Sequence, residues 1–257
     1  MSSGATAESV ARSVMGYVRS VSTARSEVVR SAPFVAILAR GNPGRHWNYA
    51  IPDDDAEPTA EEVEALARLF TDRGLSPRVE LVRQAAPAVP AALEAAGFSV
   101  DEDLPLMTCT QETAVALPVP DGITLCAPAT DAELLAMAAM QHRNFGEPLP
   151  AGRPDVDRQR GTLSQGGILL MALNPAGEVV GAGVAAPEHA RTREIVGVAV
   201  EAAWRRRGIA GAVVAAITAE ALSTGCDSVF LEAAPGAGGA YERAGFRYSA
   251  SAVHYAR

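Results

Sequence analysis

A fourteen-residue segment occurs twice in this chain, and that repetition narrows the folds open to it. AAPAVPAALEAAGF spans Ala85–Phe98 and AAPGAGGAYERAGF spans Ala233–Phe246; they align without a gap and agree at eight of fourteen positions. Each copy follows a short β-type run, RVELV or SVFLE, and each precedes another, LPLMTC or SAVHYA. The glycine before each closing phenylalanine suits a helix that stops in a left-handed cap, with the phenylalanine returning to the core. A repeated strand–helix–strand segment in 257 residues points to two copies of one α/β domain. At 48% hydrophobic residues, the chain is long enough to give each copy a core.

The boundary is expected near ALPVPDG, Ala116–Gly122, where two prolines and a glycine separate patterned segments. The expected domains are therefore residues 1–116 and 117–257. In the second, a strand is expected at Ile123–Cys126 and a helix from Asp131 to about His142, capped by Thr130. A Pro/Gly-rich loop covers Phe145–Pro154, and a short helix follows from about Val156 to Leu163. Strands at Ile168–Leu173, Glu178–Ala186 and Arg193–Val200 come next, the first two joined as a hairpin by the turn NPAG. A helix from about Gly208 to Ser223 ends at Gly225. The first half is a thinner version, with strands in PFVAILAR and WNYAIP and a helix from Thr59 to Arg73. Val10, Val14, Tyr17, Val18, Val21 and Val28 recur at helical spacing, so an amphipathic helix is expected at the N-terminus.

Charge restricts the partners. The net charge is −8 and the isoelectric point is about 5.1, which argues against nucleic-acid binding. Cys109, Cys126 and Cys226 are few, odd in number and far apart, so neither a disulfide framework nor a metal site is expected. No apolar run is long enough for a membrane span, and the N-terminus lacks the apolar core of a secretion signal. A cytoplasmic location is expected. Nothing in the sequence fixes the oligomeric state.

Against this acidic background, AVEAAWRRRGIAGAVVAA at Ala199–Ala216 gathers three arginines at a strand-to-helix turn. The first-turn N–H groups of a helix lack intrahelical partners, and the helix dipole favours an anion there. Gly208 permits close backbone approach, Ala210 keeps the wall low, and Arg205, Arg206 and Arg207 add charge at the rim. The combination reads as a diphosphate site. It lacks the Gly-Lys-Ser/Thr ending of a Walker loop and the spaced glycines of a dinucleotide fingerprint.

VAVEAAWRRRGIAG resembles the acyl-CoA motif of the GNAT superfamily of N-acyltransferases, with Val200, Trp204, Arg205, Gly208 and Ala210 on the motif positions. The resemblance covers Ile123–Arg257 and includes AYERAGF, which is similar to the family's LYEKLGF helix. It implies two tandem GNAT-like α/β (α+β) domains, each a mixed, mostly antiparallel twisted sheet flanked by helices. It implies acetyl-CoA or another short acyl-CoA as acyl donor, without a metal, and a small-molecule amine as acceptor. Backbone groups of Val198, Ala199 and Val200 would hold the pantetheine arm. Arg206, Arg207, Gly208, Ile209, Ala210 and Gly211, with Arg205, would cradle the phosphates. Tyr241 falls where the family's thiolate-protonating tyrosine stands; the first repeat has Leu93 there. Ala234 replaces an asparagine that members often carry seven residues earlier. EIVGVAV resembles the strand whose glutamate is the base in histone acetyltransferase members, which makes Glu194 the candidate base. Strand alternation puts Glu194, Val196, Val198 and Val200 on one face. Phe145 and Glu147 are weaker candidates at the acceptor, with His142, Glu188 and His189 in loops bordering it. No Cys–His pair suggests a covalent acyl-enzyme, so direct attack is expected.

In the first half the place of the arginine turn reads IPDDDAEPTAEE, Ile51–Glu62. Asp53, Asp54 and Asp55 would repel a diphosphate, so no CoA is expected there and the domain is a degenerate copy. The alternatives are a protein or peptide N-acyltransferase and a CoA-binding regulatory module without turnover.

Overall fold

The computed structural model describes residues 6–23, 27–39, 44–147 and 149–257. Pro148, inside the Pro/Gly-rich loop expected from sequence, lies outside them. In chain order the first elements are α1 (Ala7–Thr23), β1 (Glu27–Ser31), β2 (Phe34–Leu38), β3 (Asn48–Pro52) and α2 (Ala60–Thr71). Then come β4 (Arg78–Val82), α3 (Val89–Ala95), β5 (Ser99–Thr110), β6 (Thr124–Cys126), α4 (Asp131–Phe145) and α5 (Arg153–Ser164). The rest are β7 (Ile168–Leu173), β8 (Val179–Ala185), β9 (Thr192–Val200), α6 (Ile209–Ser223), β10 (Ser228–Glu232), α7 (Gly238–Arg243) and β11 (Arg247–Ala256).

The chain divides into two compact units. Unit 1 comprises Met1–Leu106 and Tyr248–Arg257, and unit 2 comprises Met107–Arg247. The sequence reading places β11 with the second half, whereas the contacts group it with the first. β11 pairs antiparallel with β4, Val253 opposite Leu81 and Tyr255 opposite Val79.

Unit 1 carries the strand order β1-β2-β3-β4-β11-β5. β1/β2 and β2/β3 are antiparallel, and β3/β4 is parallel. Val63, Leu66 and Phe70 of α2 and Leu93 of α3 are buried against Phe34, Leu81, Val253 and Tyr255. α2 starts at a capping box: Thr59 Oγ1 accepts from the Glu62 N–H, and Glu62 reaches back to the Thr59 N–H. Arg78, 2% exposed, is surrounded by the carboxylates of Glu80, Asp101 and Glu102, so its burial is charge-compensated. α1 is amphipathic as its spacing predicts, burying Ala11, Val14, Met15 and Tyr17. It ends by Thr23, however, and Val28 lies in β1 with an exposed side chain. Helical spacing of one valine cannot compete with the ladder that β1 forms with β2.

Unit 2 has the order β10-β9-β8-β7-β6. β6/β7, β7/β8 and β8/β9 are antiparallel, and β9/β10 is parallel. The β7–β8 hairpin turns at Asn174, whose Oδ1 accepts from the Ala176 and Glu178 N–H groups. α6 is apolar nearly all round and is buried on one face of the sheet, through Ile209, Val213, Val214 and Ile217. Leu134, Met137 and Met140 of α4 and Val156 of α5 cover the other face against Leu169, Met171 and Ala199. α4 starts at the predicted Thr130, which forms a capping box with Glu133.

The two repeats adopt the same local form. Gly97 and Gly245 have φ of 82° and 100°. The Phe98 N–H donates to Leu93 O at 3.0 Å, and the Phe246 N–H to Tyr241 O at 3.1 Å. Leu93 and Tyr241 are therefore geometrically equivalent. Among the described residues, no helix is long and apolar enough to cross a membrane, and no group of three His, Cys, Asp or Glu is placed to hold a metal.

Candidate functional site

A parting of strands creates the site. β9 and β10 pair only at Thr192, Arg193 and Glu194, opposite Ser228, Val229 and Phe230. Both strands continue beyond that register, β9 to Val200 and β10 to Glu232. Where they part, a cleft of about 480 Å³ opens. Val198, Ala199 and Val200 line one wall, and Pro235, Gly236 and Ala237, with Gly239, Ala240 and Tyr241 of α7, line the other.

β9 carries a bulge just above the cleft. Val196 pairs with Val184 and Ala199 with Ala182, so Gly197 and Val198 share one partner position, Gly183. Gly197 has φ 63°, a left-handed value that glycine adopts without steric cost. The extra residue overturns the expected common face of Glu194, Val196, Val198 and Val200. Ile195, Val198 and Val200 pack on the α6 side, and Ala199 packs on the α4 side. Alternation from Ile195 puts Glu194 and Val196 on the face opposite α6. Simple period-two counting fails across an inserted residue.

The arginine turn closes one end of the cleft. A single turn at Ala202–Trp204 leads to Arg206, at φ 62°, and Gly208, at φ 85°. α6 starts there with no side-chain cap and no acidic residue in its first turn. Ile209, Ala210 and Gly211, whose N–H groups lack intrahelical partners, line the cleft. The three arginines have different roles. Arg205 donates from Nε to Val200 O at 3.0 Å and from Nη2 to Asn144 Oδ1 at 2.8 Å, which braces the turn against β9 and α4. Arg207 stacks over Trp204 with its guanidinium carbon 4.6 Å from the ring centroid. It also donates to Ala203 O and does not line the cleft. Arg205 and Arg206 both line it, and Arg206 is exposed.

Tyr241 reaches the cleft from α7 and is only 6% exposed. Its ring is tilted against Phe246. Its hydroxyl has no hydrogen-bond partner among the described residues. Burial pushes its pKa above the usual tyrosine value, so the proton is held through neutral and mildly alkaline pH.

Phe145, 56% exposed, lines the cleft, whereas Glu194 and Glu147 do not. Glu194 is half-buried on β9 at the last register pair before the strands part. Of the basic residues nearest it in sequence, Arg193 directs its guanidinium to Gly166 O, Ala186 O and Cys226 Sγ, and Arg191 pairs with Asp227. His142 joins Leu149 O, at 2.9 Å, to Asp155, at 3.1 Å. Glu188 accepts from the Arg191 N–H, and His189 forms a bridge with Thr192. Sequence reasoning did not single out Asn144 or the Pro235–Ala237 wall. The glycine-rich difference between the two repeats, PGAGGAY against PAVPAAL, was the available signal for that wall.

The corresponding turn of unit 1 has the opposite character. Asp53, Asp54 and Asp55 pair with Arg30, Arg19 and Arg12. The N-terminus of α2 is closed by its own Thr59–Glu62 box, with Glu61 adding a second carboxylate to the first turn.

An uncapped, arginine-edged helix N-terminus above diverging parallel strands offers backbone N–H groups and positive charge to an anion such as a phosphate. Residues 134–246 match the model of the Acetyltransferase (GNAT) family. That segment thus has the character of a GNAT acetyltransferase domain, of a family that transfers acyl groups from acyl-CoA. Its fold is similar to that of a GCN5-related N-acetyltransferase from Kribbella flavida, with TM-score 0.79 and 20% identity over 96% of this chain and 95% of that one. It is also similar to one from Sphaerobacter thermophilus, with TM-score 0.70 and 20% identity over 88% and 76%. A tandem GNAT protein from the clavulanic acid biosynthesis pathway gives TM-score 0.62 and 14% identity over 87% and 78%. No curated protein matches the chain.

Proposed function

We propose that unit 2 binds acetyl-CoA, or another short acyl-CoA, and transfers its acyl group to an amine of a small molecule by direct attack. One observation carries this reading: a single cleft joins an uncapped helix N-terminus, the free-facing Arg206, the bulged strand and the buried Tyr241 hydroxyl. The donor set suits a diphosphate, since Ile209, Ala210 and Gly211 offer backbone N–H groups beside small side chains and Arg206 adds charge. Val198, Ala199 and Val200 would hold the extended arm along β9.

Acyl-CoA, when bound, supplies the thioester carbonyl that the amine attacks. Tyr241 holds a proton at its hydroxyl and delivers it to the departing sulfur; burial keeps that proton in place at working pH. Glu194, on the β9 face opposite α6, takes the proton of an amine that enters from that face. The tilted Phe246 and the apolar wall around Tyr241 limit water at the acid. Phe145 and Glu147 border the acceptor's approach. Unit 1, with its turn aspartates paired and its α2 terminus closed, has a structural role.

Titration calorimetry with acetyl-CoA tests the donor site. One site per chain is expected, and Arg206→Glu should weaken it at least about tenfold, because a charge-assisted contact is replaced by repulsion. Undiminished affinity in the variant would put the site elsewhere. Turnover on a panel of small amines, set against a peptide array, then distinguishes the acceptor classes.

A further inference from the structure

The bulge in β9 has a support that neither the motif nor the resemblance indicates. Gln141, on the last turns of α4, donates from Nε2 to the Gly197 carbonyl at 2.7 Å. A carbonyl offers no donor, so the amide nitrogen must be the atom facing it. The contact is tight on both sides: a Cβ on Gly197 would lie 2.7 Å from that same nitrogen. The register explains why this carbonyl needs a partner outside the sheet. Gly197 and Val198 together face Gly183, so one residue of the pair is left without a ladder position.

Peptide geometry then fixes the next donor. In a trans peptide the carbonyl of Gly197 and the N–H of Val198 point in opposite directions. Gln141 belongs to the helix layer on the α4 face and draws the carbonyl toward it. The Val198 N–H is therefore directed away from α4, and Val198 itself lines the cleft with its side chain on the α6 side. Attack on a thioester builds negative charge on the carbonyl oxygen, which a fixed N–H donor stabilises.

We propose that Gln141 is a positioning residue: by holding the Gly197 carbonyl it aims the Val198 N–H into the cleft as the donor to the acyl oxygen. This rests on the acyl-transfer reading of unit 2. The neighbouring residues of α4 show the same design, since Asn144 accepts from Arg205 and Arg143 pairs with Glu201. One helix end thus braces both the bulge and the arginine turn. Gln141 touches no substrate and acts through the peptide it holds.

The test compares wild type with Gln141→Leu, which lacks the donor, and Gln141→Glu, which keeps the shape but presents a carboxylate. Acetyl-CoA labelled with carbon-13 at the carbonyl is bound to each, and the carbonyl stretch is read by difference infrared spectroscopy. Wild type should lower the stretching frequency relative to free acetyl-CoA, and both variants should lose most of that shift. Free CoA, which has no acyl carbonyl, should bind all three within about twofold. In turnover, kcat should fall by about 10- to 100-fold with KM for acetyl-CoA nearly unchanged, somewhat less than the loss of an oxyanion donor itself. An equal carbonyl shift in wild type and both variants, or a bound carbonyl unshifted in wild type, overturns the role of Gln141 and leaves acyl transfer standing. A wild-type protein that binds no acetyl-CoA overturns both.

Discussion

At the residue scale the two repeats make an internal comparison. Leu93 and Tyr241 hold the same place, each offering its carbonyl to the phenylalanine five residues on. Leu93 is sealed in an apolar core, whereas Tyr241 opens on the cleft. A purely structural tyrosine would be replaceable by phenylalanine at little cost. Tyr241→Phe should instead lower kcat about 100-fold while calorimetric affinity for CoA stays the same. Unchanged turnover would remove Tyr241 from the chemistry. Its raised pKa gives a second check. Phenolate absorbance assigned to Tyr241 by difference from Tyr241→Phe should appear only above the ordinary tyrosine value of about 10. The folded state holds this proton more tightly than the unfolded chain. Its contribution to stability is therefore complete below the unfolded value and declines as pH rises beyond it. Gly197→Ala should cost about 1–3 kcal/mol in denaturant unfolding, from a left-handed φ combined with the Gln141 contact. The sequence could single out Tyr241 as a candidate because a motif resemblance and a repeat both marked it. It could not single out Gln141, since that residue lies 56 residues from its partner and nothing local signals a bond to a distant carbonyl.

At the element scale, three helices show how a first turn decides between stability and binding. α2 and α4 each close their N-terminus with a Thr-x-x-Glu box. Thr130→Ala should accordingly lower stability by about 1 kcal/mol, read as a thermal shift. α6 leaves its N-terminus open. Ala210→Glu should therefore move two quantities in opposite directions. A carboxylate in the first turn favours the helix by roughly 0.3–1 kcal/mol, so the melting temperature should hold or rise. The same carboxylate would face the proposed diphosphate site, so acetyl-CoA binding should be lost. Loss of both would mean that the side chain disrupts packing rather than the site. Thr59, which the sequence suggests as the first helical residue, proves to be a cap; the cap at Thr130 was visible in the sequence because capping is local chemistry. The bulge that turns Val198 away from Val196 was not. It depends on where β8 places its partners, and one inserted residue reverses every face beyond it.

At the scale of the whole molecule the last strand matters most. β11 supplies Val253 and Tyr255 to the core of unit 1 and pairs with β4. Arg257 joins Glu64, and Tyr255 donates to Glu94. A chain ending at Arg247 should therefore lose amide protection in α2, β4 and α3, although the deleted residues lie at the far end of the sequence. Protection retained in those elements would show that unit 1 folds without its final strand. The acidic loop of unit 1 and the basic loop of unit 2 could be compared from sequence alone, because charge and small residues at a helix start act through local backbone groups. So could the repeat, the cap at Thr130, most element boundaries and the place of the arginine turn between strand and helix. Only the tertiary structure separated the three arginines: Arg205 and Arg206 both line the cleft, but Arg205 is committed to Val200 and Asn144, and Arg207 stacks on Trp204 outside it. It alone decided the bulge's direction and the unit that receives β11. Each of these depends on contacts between residues distant in the chain, and periodicity carries no information about them.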